Sequence, residues 1–473
     1  MRQGRRASLI LPSSPIRAAL RRILLAALDA TAPALAVRRA LTLRRQTLRV
    51  DSRLYDLRSI GRVVAIGAGK ASVPMASAVR EVLRGRLDAV FVVAPGPVIR
   101  RAKSGIEVAE AGHPIPDRRG VQAARHILQL ASSLDKDDLL IVLLSGGASS
   151  LLPLPAAGLT LADKQRTTQL LLRSGATIAD VNTVRKHLSA IKGGRLAVAT
   201  PASVLTLILS DVGGDDLGVI GSGPTAPDRT TFLDAVRIVR RYSLWERLPV
   251  AVRVHLVEGL AGGRDETPKP RSLNFRRVQH VVVGNNRLAV EAAAKVAHKE
   301  GYESVLFGMF VTGEAGQFGR WMGELGKELA RRTTLPGPVC VLAGGELTVT
   351  VRGSGTGGRA QEFALAAALA IQGTPGVWVA GFGTDGRDGP TDAAGAVADG
   401  ETVASGKRKR MDATRCLHKH DSYTFFKKVG GHIKTGLTGT NVNDLYIVFV
   451  HPVSIGRSVV HNRALSSRRS RRG

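Results

Sequence analysis

The stretch "VVAIGAGKAS", residues 63–72, sets the fold: four apolar residues run into Gly67-Ala68-Gly69 and are followed at once by a lysine, Lys70. A second run, "LLIVLLSGGASS" at 139–150, repeats the plan, with Ser145, Gly146, Gly147, Ser149 and Ser150 forming the turn. Short apolar runs that break at glycine read as strands buried on both faces. Two such strands ending in small-residue turns point to a site for an anion, because glycine lets a ligand approach the backbone and exposes its N–H groups.

Working outward, "AVFVVAPG" and "SVLTLILSDV" are further strand runs, and "ASVPMASAVREVLRG", "RRGVQAARHILQLAS" and "TLADKQRTTQLLLRSG" between them carry helical spacing. Strands alternating with helices imply a Rossmann-like, doubly wound parallel sheet, whose ligands sit beyond the carboxyl ends of its strands. "GGRDETPKPRSLNFRR" (262–277) lacks periodicity and reads as a loop or linker. The strand-and-helix unit "VQHVVVGNNRLAVEAAAKVAHKEG" follows. A second, smaller α/β region then begins at "VCVLAGGELTVTVRG", where alternation suggests antiparallel pairing, and closes at "NDLYIVFVHP". The expected division is a basic extension at 1–15, a first domain at 16–262, a connecting unit at 263–335, a second domain at 336–452 and a disordered basic tail at 453–473. Two lobes with a cleft between them are the simplest arrangement.

A chain of 473 residues exceeds one ordinary core. No apolar run reaches the ~18 residues that span a bilayer, so no membrane role is expected. Two cysteines make no disulfide framework. The charge of +30 is concentrated at the ends: residues 1–50 hold eleven arginines and one acid, Asp29, and residues 457–473 hold six arginines and none. The acid-poor start fits a mitochondrial transit segment, and "PIRAALRRILLAALDA" equally fits a helix docked on the core of a cytoplasmic enzyme. The tail "SSRRSRRG" and Lys407–Arg410 would favour nucleic acid, but at 4% aromatic content no rings interleave with the basic residues to stack bases, so they read as solvated segments.

Lys70 falls at a helix start, where free N–H groups favour an anion. The stretch is not a P-loop, since Val64 and Ala71 stand where that pattern needs Gly and Ser or Thr. It also lacks the third glycine and the ribose-binding acid of a dinucleotide fingerprint. "SDVGGDDLGVIGSGPT" places Asp211 at a strand end, a candidate for magnesium or for a hydroxyl proton, with Asp215 and Asp216 read as helix caps. "VRGSGTGGRAQEFALA" puts Arg359 at a helix start, able to grip phosphate or carboxylate with two bonds. "GTDGRDGPTD" holds Asp385, Asp388 and Asp392 within eight residues, which is costly unless a cation offsets them. "GHPIPD" reads as a rigid turn, and His187, beside Arg185, Lys186 and Lys192, as decoration on a helix rather than a metal ligand.

Together "GAGKAS", "GHPIPD", "LSGGASSLL", "NTVRKHLSAIKGGRLA", "SDVGGDDLGVIGSGPT", "GGELTVTVRGSGTGGRAQE", "GTDGRDGPTDAAGAVADG", "TGLTGTNV" with "NDLY", and "HDSYTFF" resemble the glycerate 2-kinase family. Its first lobe is a DUF4147 domain, its second a MOFRL domain, and some members carry the older label hydroxypyruvate reductase. The resemblance spans roughly residues 16–452. It implies transfer of the γ-phosphoryl group of ATP to the 2-hydroxyl of D-glycerate, with Mg2+. It also implies Lys70 and Arg359 facing each other across the cleft, with Ser145–Ser150 and Asp211 in matching segments. Gly67, Gly69 and Asp385 complete the expected phosphate, nucleotide or substrate contacts, Asp211 and Asp385 the expected metal ligands, and a homodimer the expected assembly. Gly213, Ala360 and Leu437 depart from the family pattern of Pro, Asn and Pro. An NAD(P)H-dependent hydroxypyruvate reductase and a nucleic-acid-binding protein are the rival readings.

Overall fold

A strand of uninterrupted Val, Ile and Leu needs cover on both faces, and Val63–Ala68, Leu139–Leu144 and Ser203–Leu209 obtain it, nearly every residue being buried. In the computed structural model, which describes residues 9–96, 105–332 and 335–452, these strands form the middle of a six-stranded sheet. Its order is Glu107–Ala111, Ala89–Pro95, Val63–Ala68, Leu139–Leu144, Ser203–Leu209, Val278–Gly284, with every neighbouring pair parallel. The chain winds outward from Val63–Ala68 on one flank and then returns to lay Leu139–Leu144 against its other edge. That reversal is a topological switch point, where a crevice opens at the carboxyl ends of the two central strands. Both glycine-rich turns stand at this crevice.

The second sheet also has six strands, in the order Glu303–Glu314, Val339–Thr348, Asp444–Val450, Val377–Gly383, Gly395–Asp399, His432–Ile433. Val339–Thr348 pairs antiparallel with Asp444–Val450 through residues 339–345 and parallel with Glu303–Glu314; the alternating stretch at 346–353, expected to pair antiparallel, instead gives residues 346–348 to the parallel pairing. The expected connecting unit at 263–335 therefore divides. Its first strand closes the parallel sheet, its helix Asn286–Lys299 bridges, and Glu303–Glu314 opens the second sheet. One apolar core joins the lobes at this end, running from Ala65 and Ile141 through Leu24 and Ala293 to Leu342 and Phe449.

The N-terminal helix is part of that core. Arg17–Thr31 buries Leu20, Ile23, Leu24 and Ala27, turns its arginines outward, and packs on Asn286–Lys299. Residues 41–56 add a small antiparallel sheet of three strands. The Lys407–Arg410 run is exposed at the end of a helix. The tail from residue 453 lies outside the described residues, and no helix among those described is long and apolar enough to cross a membrane.

The aperiodic stretch 262–277 is pinned in place. Glu266 accepts from the N–H groups of Phe232 and Thr267, at 2.9 and 2.8 Å, and meets the fully buried ring of His187 at 2.9 Å. His187 is thus an interior anchor, with its other nitrogen on the Thr183 carbonyl at 2.8 Å, and not helix decoration. Burial by itself would raise the Glu266 carboxyl, but the hydrogen bonds from His187 and the two amides outweigh it and bring it from 4.5 to about 2. A depressed carboxyl contributes stability that is present above the ordinary value and lost as pH falls towards the folded one. Urea midpoints measured against pH are therefore expected to fall more steeply between 4.5 and about 2 in the wild type than in Glu266→Gln. Parallel profiles for the two proteins would remove this anchor.

Candidate active site

At the switch point the two turns interlock. Gly69 has φ +134°, and a side chain there would run into Ser145, whose carbonyl oxygen lies 2.6 Å from the position of its Cβ. The space saved brings the turns into hydrogen bonding: the Lys70 amide donates to the Gly146 carbonyl at 2.9 Å and the Ala71 amide to Ser145 Oγ at 3.0 Å. Helix Ser72–Leu83 starts directly behind, with Ala71 as its cap, so Lys70 precedes the helix by two residues and its side chain is exposed towards the crevice. Gly67 packs on the adjacent strand, where a Cβ would lie 2.5 Å from the Leu143 carbonyl oxygen.

Gly146 and Gly147 carry the close approaches on the other side. A Cβ on Gly146 would meet Asp211 Oδ2, and one on Gly147 would lie 2.8 Å from His113 Cδ2 and 3.8 Å from Lys70 Cγ. Lys70, His113 and Asp211 thus surround one glycine pair. Burial, and then the Lys70 charge, push the His113 imidazole below its ordinary range. Asp117, at the far end of the same rigid turn, caps helix Arg118–Ser132 through the Gly120 amide at 3.0 Å. Ser149 and Ser150 are held from within. Ser149 Oγ pairs with Ser222 Oγ at 2.8 Å and receives Lys192 Nζ at 3.2 Å, and Ser150 Oγ donates to the Gly147 carbonyl at 3.0 Å.

Asp211 links the lobes electrostatically. Burial raises its carboxyl, Lys70 draws it back down, and Glu346 of the second sheet raises it further, so both charges stand close enough to act on it. Glu346 in turn accepts from Arg359 Nη1 at 2.7 Å. Arg359 opens helix Arg359–Ala370 and grips Asp444 as well, Nε to Oδ2 at 2.5 Å and Nη2 to Oδ1 at 3.3 Å, while Tyr446 Oη donates to the same carboxylate at 2.9 Å. Burial works against the guanidinium charge, but Asp444 and Glu346 outweigh it and hold Arg359 cationic. Across the gap two cations, Lys70 of the first lobe and Arg359 of the second, flank two carboxylates, Asp211 and Glu346.

The acidic loop separates rather than converging. Asp388 is buried at the start of the Arg359 helix and accepts from the amides of Ala360 and Gln361 at 3.0 and 2.8 Å. Asp392 pairs with Lys434 at 2.7 Å, and Asp385 accepts from the Arg387 amide at 3.0 Å in its own turn. Asp385 lies in the turn two residues beyond Gly383, the strand partner of Asp444. Asp216 serves its own loop through the Gly218 amide, and Asp215 receives the Asn285 amide rather than capping a helix. Among the described residues no three His, Cys, Asp or Glu side chains are grouped to hold a metal. The three departures also find places. Gly213 lies under the Phe310 ring, which a Cβ would approach to 2.6 Å, Ala360 is fully buried, and Leu437 is exposed.

Glu346, Asn443 and Asp444 were not singled out as site residues from sequence. The signal was present in "NDLY", where two polar residues lead directly into an apolar strand, since Asn443 Nδ2 also donates to Glu346 at 3.0 Å.

Comparison with known proteins bears on the same two lobes. Residues 19–257 match the family described as "Domain of unknown function (DUF4147)", and residues 339–444 match the MOFRL family. The chain is 40% identical over 426 residues to the glycerate 2-kinase of Pyrococcus horikoshii, covering 90% of this chain and 95% of that protein. To the human glycerate kinase it is 36% identical, covering 91% and 92%. The crystal structure of the Thermotoga maritima glycerate kinase superposes with a TM-score of 0.82 at 37% identity, covering 92% of this chain and 99% of that one.

Proposed function

The chain belongs to the glycerate 2-kinase family, and from that premise we propose that it transfers the γ-phosphoryl group of ATP to the 2-hydroxyl of D-glycerate. The observation that carries this reading is the row of charges across the lobes, in which two carboxylates, Asp211 and Glu346, stand between a first-lobe lysine and a second-lobe arginine. Phosphoryl transfer asks for positioning and charge neutralisation more than for covalent chemistry. Lys70 and Arg359 offset charge on the transferring group. Asp211, half-buried and lifted above the ordinary carboxylate range, orients the 2-hydroxyl and takes its proton. The hydroxyl oxygen forms the new bond to phosphorus, the bond from that phosphorus to the β-phosphate oxygen breaks, and ADP leaves with the electron pair.

Magnesium binds through one or two carboxylates plus substrate phosphates, so it needs no cage of three. Asp211 and Glu346, with Asp385 from the turn after Gly383, would hold it, and it would supply charge neutralisation for the phosphates. Glu346 raises the cost of a charge on Asp211, which such an ion would offset. A reductase reading finds no support in the first lobe, since the strand Ala89–Pro95 ends "VVAP" without the acid that takes a ribose hydroxyl.

The direct test is incubation with D-glycerate, ATP and magnesium, followed by phosphorus NMR of the product. 2-Phosphoglycerate is expected. 3-Phosphoglycerate would overturn the regiochemistry, and hydroxypyruvate-dependent oxidation of NAD(P)H with no phosphorylated product would replace the kinase by the reductase.

A further inference from the structure

The Ser145–Ser150 turn has a second side. It walls a cavity of about 290 Å³ inside the first lobe, closed by the Pro114–Pro116 turn, by helix Leu161–Arg173 and by Arg185 and Lys192. Its mouth carries two large apolar side chains, Ile115 and Leu172, which are 67% and 55% exposed. Its interior carries cations: Lys164 and Lys192 are only 7% and 2% exposed. Lys164 Nζ makes one hydrogen bond, to the Leu154 carbonyl at 3.1 Å, and Arg185 Nε reaches Thr168 Oγ1 at 3.5 Å. Lys192 Nζ bonds the Ser149 carbonyl and hydroxyl and the Gly221 carbonyl, at 2.8, 3.2 and 3.4 Å. Among the described residues none of the three joins an ion pair, whereas the neighbouring Lys186 is matched by Asp228.

Charge buried without a counter-ion is costly, and here three like charges share one apolar space. Burial first and the Arg185 charge second push the Lys164 ammonium down to about 7, and Lys192 is pushed down by burial and by both neighbours. An anion of several charges would relieve all three at once. A three-carbon acid is too small for the cavity and leaves Ile115 and Leu172 without a role, whereas a nucleotide presents an apolar base and a chain of phosphates. The cavity also leads to the chemistry, because Gly147 lines it and lies against the stem of Lys70.

Resting on the phosphoryl-transfer reading, we infer that this cavity is the nucleotide site: the base lies between Ile115 and Leu172, the α- and β-phosphates lie on Lys164, Arg185 and Lys192, and the γ-phosphate passes Gly147 towards Lys70. D-Glycerate then occupies the gap between the lobes beside Asp211 and Arg359.

Calorimetric titration of the full chain with ADP, inorganic tripolyphosphate and D-glycerate separates the alternatives. Lys192→Met is expected to weaken ADP and tripolyphosphate by at least about tenfold, the loss typical of a removed charge-assisted contact, and to leave D-glycerate unchanged. Ile115→Ala combined with Leu172→Ala, at exposed positions that folding tolerates, is expected to weaken ADP by about tenfold and to leave tripolyphosphate unchanged. This pair carries the test if Lys192→Met does not fold. Loss of D-glycerate binding with ADP intact would assign the cavity to the acceptor, and no change in either variant would make it structural; both overturn the inference. Lys192-dependent ADP binding by a wild type that forms no phosphoglycerate would uphold the site and sink the kinase reading instead.

Discussion

Lys70→Ala is expected to lower kcat by on the order of 10³ or more, the range seen when a cation facing the transferring phosphoryl group is removed, with the fold left intact. The separation of effects follows from how Lys70 is held. Its position depends on its backbone, whose amide bonds the Gly146 carbonyl, while its side chain is exposed and enters no ion pair among the described residues. Substitution at such a surface position leaves stability within about 0.5 kcal/mol. Urea unfolding should therefore give the same midpoint for the variant and the wild type, while single-turnover kinetics record the loss. Near-normal turnover would take Lys70 out of the mechanism. A large fall in unfolding midpoint would mean that the side chain supports the turn and not the reaction.

Arg359→Ala is expected to cost both activity and stability. Turnover falls by a similar factor, on the order of 10³. Stability falls as well, because Asp444 is buried and Arg359 is its charged partner, and leaving such a carboxylate unpaired costs about 3 kcal/mol or more. The two losses can be pulled apart. In Arg359→Ala combined with Asp444→Asn, the uncompensated charge is gone, so thermal or urea unfolding should return most of the way to the wild type while kcat stays low. Recovery of kcat along with stability would show that Arg359 only neutralises Asp444. Arg359→Lys tests the geometry: a lysine keeps the charge but cannot bond Asp444 and Glu346 together as the planar guanidinium does, so partial stability with little turnover is expected.

The parallel sheet was legible because its signal is local. Leu139–Leu144 is six apolar residues followed by Ser145 and two glycines, and no soluble alternative buries both faces of such a run as well. The sheet at 41–56 was not legible. Its turns place Arg45 and Asp51 at φ 52° and 50° without the glycine or asparagine that marks a tight hairpin. The stretch 262–277 looked like a linker for a related reason. What holds it is Glu266 reaching His187, 79 residues away, and no periodicity reports a single long-range hydrogen bond.

In the site the same division holds. The sequence by itself determined the kinds of group present: turns tight enough to need Gly69 and Gly147, a lysine after the first, an arginine at a helix start, and the family to which those motifs belong. Tertiary structure decided what each group meets. It made Asp388 a helix-start acceptor and left Asp211 the carboxylate between Lys70 and Glu346. It also turned Lys164, Arg185 and Lys192, which read as ordinary helix residues, into cations facing one cavity. The physical reason is that backbone conformation and burial pattern are set by neighbours in the chain, whereas the cost of a charge depends on its distance to every other charge. Those distances exist only once the lobes have packed.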